Sequence, residues 1–156
     1  MADQEPTEDE RERVNRELIE LLNELRVALP AVQVLFAFLL VLPFYSRFSA
    51  ITDLQKGVYF ASFLCAAAAS GLYVAPSAYH RLNFRRRDKE RMLITSNRLA
   101  IAGTAFLALS IIGAVFLVTD VLYRAPFVGI VAAAAAAWFV WLWFGLPLVR
   151  RWSPDR

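Results

Sequence analysis

Polar and apolar positions divide this chain into long stretches without a charge, separated by short charged ones. The uncharged runs are 27–46, 57–79, 99–119 and 125–149, which are 20, 23, 21 and 25 residues long. A helix rises 1.5 Å per residue and a bilayer core is about 30 Å thick, so each run is long enough to cross. Helices of a soluble bundle keep a polar face, and these runs have almost none. The pattern predicts an all-α membrane protein, with four transmembrane helices in an up-down bundle of two hairpins.

The N-terminal pattern is different. Residues 1–6 read as a disordered leader, and 7–29 as an acidic amphipathic helix. Thr7 and Glu10 have the spacing of a capping box. From there Val14, Leu18, Leu21, Leu25, Ala28 and Val32 recur at spacings of four and three, widened by Ile19 and Leu22. Acids crowd the first turns, where the helix dipole favours them. Pro30 marks the passage from this helix into the first span, with a kink expected there.

Charge decides how these pieces sit. Residues 1–26 hold nine acids against four arginines, whereas 80–98 hold seven bases against Asp88 and Glu90. The acidic seam therefore has an electrostatic partner in the basic loop 80–98. Docking there is favoured over pairing with a second protein chain, because the seam is short for a coiled coil. For either partner the contact residues are Val14, Leu18, Leu21 and Leu25. With both termini inside, 14 Lys and Arg lie on the inner face and only Arg47, Lys56 and Arg124 on the outer. That count places the N-terminus, the loop 80–98 and the tail 150–156 in the cytoplasm. Trp141, Trp143, Trp152 and Tyr79 suit an inner aromatic belt, and Tyr45, Tyr59 and Tyr123 an outer one.

Composition adds little beyond this. The hydrophobic fraction of 58% exceeds the roughly 45–50% of soluble domains. Cys65 is the only cysteine, so no internal disulfide forms, and it reads as a small apolar residue.

Two stretches carry a likeness: ELRVALPAVQVLFAFLLVLPF (Glu24–Phe44) and VAPSAYHRLNFRRRDK (Val74–Lys89). Their most specific pieces are Leu25-Arg26-Val27, the run from Val32 to Leu40, and Ala75-Pro76 followed by Ala78-Tyr79-His80-Arg81. Over nearly its whole length the chain resembles a family of small four-span bacterial membrane proteins of unknown function. Where this chain has Ala31, that family often has Gly. The resemblance implies a four-span protein of bacterial origin, which with the charge count means the plasma (inner) membrane. It brings no activity.

Few residues are candidates for chemistry. Gln33 is the only carboxamide within a run, and an amide in hydrocarbon needs a partner. It is expected to face the bundle interior and make an interhelical hydrogen bond. His80, at the inner mouth of the second span, reads as an interfacial anchor. Asp120 and Arg124 have the spacing of an i, i+4 pair. Arg81, Arg85, Arg86, Arg87, Lys89, Arg91 and Arg98 are candidates for contact with anionic lipid headgroups. Nucleic acid is not expected as a partner, since Phe84 alone interleaves these bases. No cofactor, metal site or catalytic set is expected, and no span contains an ionisable residue of the kind coupled carriers use. These features favour a non-enzymatic interaction or accessory subunit, with a homo-oligomer or another protein as partner. The alternatives are an oligomeric permease or channel lined by the small faces of spans two and four, and, ranked last, a lipid-modifying enzyme using His80.

Overall fold

A computed structural model describes residues 8–82, 89–123 and 127–145. The expected leader 1–6, Thr7, Arg85 to Arg87, Arg124 and the tail 150–156 lie outside the described residues. Helix α1 spans Glu8–Val41, α2 Asp53–Leu82, α3 Lys89–Leu122 and α4 Phe127–Val140. Short 3-10 turns over Leu42–Phe44 and Ser46–Ala50 join α1 to α2, and a π-helical turn, Trp141–Gly145, follows α4. There is no strand among the described residues. Three helices are long and apolar enough to cross a membrane; the last, Phe127–Trp143, is apolar but shorter.

Two boundaries differ from those expected. The acidic helix and the first apolar run are a single helix, with Pro30 inside it on the exposed side. A proline removes one backbone hydrogen bond and pushes its ring at the preceding turn. Here Leu25 and Val32, one on either side, are both buried, and their packing carries the helix through. The basic loop 80–98 is also largely helical: α2 continues to Leu82 and α3 starts at Lys89. Lysine, arginine, leucine and methionine are good helix formers, and nothing between Lys89 and Arg98 breaks a helix.

The buried positions repeat every seven residues in each long helix. One such set is Leu18, Leu25, Val32 and Leu39 in α1, and another is Gln55, Ser62, Ala69 and Pro76 in α2, where Ala66 and Tyr73 are buried beside it. In α3 the set is Ser96, Gly103, Ser110 and Leu117, with Met92, Leu107, Ala108 and Thr119 buried as well. A seven-residue repeat keeps one seam turned toward its neighbours when helices wind around one another left-handedly. Leu25, Val32, Ala69, Tyr73 and Leu107 form the core, with Leu21, Ala28, Leu35 and Trp143 packed against it. Trp143 is half-buried against this core.

Paired contacts fix the register. Between α2 and α3, Gln55 meets Asp120, Ser62 meets Ser110, and Tyr73 meets Thr104, so the two helices are antiparallel. Between α1 and α2, Phe36 stacks on Phe63 at 5.0 Å, and the Tyr59 hydroxyl donates to the Leu39 carbonyl at 2.9 Å. That carbonyl is the one Pro43 cannot serve, because proline has no N–H to return to residue i−4. Tyr59 thus satisfies the acceptor freed where α1 ends. Helix α4 lies outside this trio and packs on α3.

Candidate functional site

The charged end of the bundle is where α1 begins, α2 ends and α3 begins. The register puts Leu18, His80 and Ser96 at one level, with Leu18 only 4% exposed. The Ser96 hydroxyl is buried without a hydrogen-bond partner among the described residues. The leader's seam is thus occupied by the chain's own helices: Leu18 and Leu25 are buried, and Val14 and Leu21 half-buried. Of these four, Leu18 and Leu25 are turned inward onto the chain's own helices, while Val14 and Leu21 keep part of their surface open. The leader's free surface is Glu12, Glu20, Asn23 and Glu24, with Ile19 59% exposed among them. On the same helix the Arg13 Nε donates to Glu17 Oε1 at 2.8 Å. That bond, with the attraction of the Glu17 charge, raises the Arg13 pKa above its ordinary value.

The basic residues line the rim. Arg81, Arg91 and Arg98 are exposed. Glu90, Arg91, Ile94, Thr95 and Arg98 line an open concavity on one face of α3. Arg91 and Arg98 lie two turns apart, about 10 Å along the helix axis, with Thr95 between them and Glu90 beside Arg91, so the lining carries both signs of charge. Lys89 begins α3, while Arg85, Arg86 and Arg87 lie outside the described residues.

Gln33 does not face the interior. It is exposed on α1, one position past the buried Val32, and has no hydrogen bond to another described residue. The carboxamide that bonds to another helix is Gln55, which lies just ahead of the second uncharged run. Its Oε1 accepts from the Thr52 backbone N–H at 2.8 Å, and the Thr52 hydroxyl accepts from the Gln55 N–H at 3.2 Å. This is a capping box closing the start of α2. The amide's other end, Nε2, donates to Asp120 Oδ2 at 2.7 Å, tying that cap to the end of α3. Asp120 therefore has a partner on α2, and its expected partner Arg124 is outside the described residues. The Thr52-x-x-Gln55 spacing ahead of an apolar run was the available signal for the cap.

Small residues bring α2 and α3 together. The Ser110 hydroxyl donates to the Ser62 carbonyl at 2.8 Å. A side chain at Gly113 would collide with the Ser62 hydroxyl, and one at Gly103 would reach the Tyr73 ring at 2.7 Å. The Ser62 side of α2 is therefore packed closely against α3.

The profile of a family of unknown function, DUF6328, matches residues 7–147. The chain belongs to this family. No curated protein and no solved structure matches it significantly. The DUF6328 match takes in the acidic helix from residue 7 as well as the apolar helices, so the charged half of α1 is part of the family's common unit. It also takes in both stretches singled out in the sequence, Glu24–Phe44 and Val74–Lys89.

Proposed function

We propose that this chain is a non-enzymatic accessory subunit of the bacterial plasma membrane. It would cross four times, with both termini in the cytoplasm, and present the leader to another protein. The supporting observation is that α1 runs unbroken from the leader into the apolar region, held by one buried seam from Leu18 to Leu39. From Glu8 to Arg26 the helix stands about 27 Å long, a rigid acidic post rather than a tethered tail. Its exposed Glu12, Ile19, Glu20 and Glu24 form the surface offered to the partner. Arg91 and Arg98, which line the α3 concavity, and Arg81 at the end of α2 would meet anionic headgroups at the inner leaflet.

The test is charge reversal at Glu12, Glu20 and Glu24 to lysine, with affinity capture from native membranes. Proteins recovered with the wild type should be lost from the variant while it keeps its melting temperature. Identical recovery would sink the proposal. Orientation is tested separately with Ala50→Cys and Asp88→Cys. An impermeant thiol label should reach residue 50 on intact cells and residue 88 only after permeabilisation. The permease alternative requires a path along the small face of α2, and no observation favours it.

A further inference from the structure

The outward position of Gln33 has a consequence in lipid. From Val41 back to Gln33 is about 12 Å along α1, close to the middle of a 30 Å hydrocarbon core. The register sets it level with Ser110, near the centre of the uncharged run in α3. A carboxamide there, turned away from its own bundle, is out of reach of water and has no partner among the described residues. Hydrocarbon offers it neither donor nor acceptor. Something other than lipid must cover this face.

We infer that α1 pairs with α1 of a second copy of this chain, through Gln33. The inference rests on the reading that α1 crosses the bilayer. A carboxamide carries both an N–H donor and a carbonyl acceptor, so two of them related by a two-fold axis satisfy each other. Copies inserted in the same orientation place their Gln33 residues at the same depth. A different partner would need a polar group at that level, whereas a second copy supplies one by construction. The surrounding face allows the approach: Arg26, Pro30, Gln33, Ala37 and Leu40 recur at spacings of four and three and are all exposed. Pro30 and Ala37, one turn to either side of Gln33, are short enough for two backbones to come close. Arg26 ends the stripe on the charged side, where its guanidinium reaches the headgroups. This external stripe is a second heptad face on α1, adjacent to the internal one through Val32. A single polar residue on such a face fixes register and partner number.

The test uses the full chain in proteoliposomes, with Cys65→Ala removing the only native thiol. Ala37→Cys and Leu40→Cys should form disulfide-linked dimers on oxidation, while Val34→Cys and Phe38→Cys should not. Resonance energy transfer between labelled copies should show Gln33→Leu weakening association by about three- to thirty-fold, with Gln33→Asn retaining most of it. Because Gln33 is on the surface, neither variant should lose its melting transition. A monomeric wild type, crosslinks peaking at residues 34 and 38, or an unweakened Gln33→Leu would each overturn the pairing. A chain that fails to enter the bilayer would sink the spanning reading, and the pairing with it.

Discussion

Helix α3 has α2 on one side and α4 on another, and the two contacts are unlike. Against α2 it places Gly103, Ser110, Gly113 and Asp120, each meeting a named atom of its neighbour. Helix α4 is wholly uncharged, yet only Val128 is buried in it, and Phe127, Ile130, Trp138 and Val140 face outward. Apolarity therefore does not rank these contacts. In water the oilier helix would be the more tightly held. Between helices in lipid, an apolar side chain gains little by leaving the tails for a neighbour. Close backbone approach and a few hydrogen bonds provide the attraction, and the α2–α3 pair has both.

Substitutions at the two contacts can break this distinction. The largest effect is expected from Gly113→Leu, whose side chain must displace Ser62 and part the helices. A loss of about 3 kcal/mol or more, read by denaturant titration in mild detergent, follows from overpacking a tight site. Gly103→Ala adds one methyl against the Tyr73 ring and should lose about 1–3 kcal/mol. Gln55→Leu removes both the α2 cap and the bond to Asp120, and about 1–2 kcal/mol is expected in the same titration. Gly129→Leu, where no atom lies within 4 Å of the added carbon, should stay within about 0.5 kcal/mol of wild type. If Gly129→Leu proved as damaging as Gly113→Leu, the contrast would collapse.

The orientation of Gln33 shows where two sequence arguments diverged. Desolvation argued for an amide turned inward. Periodicity argued the other way, since the seam through Ala28 and Val32 passes one residue short of it, about 100° around the helix. The structure follows periodicity: Val32 is buried in the seam and Gln33, the next residue, is exposed. Gln55 erred in the opposite sense. Its cap was legible from Thr52, three residues away, but its second partner lies 65 residues off at Asp120. Local spacing carries no information about such a pair.

The sequence by itself determined the uncharged runs, the acidic seam from Val14 to Val32 and the basic rim, because each is a local pattern of side-chain type. Only the tertiary structure decided that leader and first span are one rod, that the Ser62 face of α2 belongs to α3, and that α4 stands at the side. Those outcomes depend on which small surfaces fit within van der Waals distance, and that fit exists only once the helices are brought together.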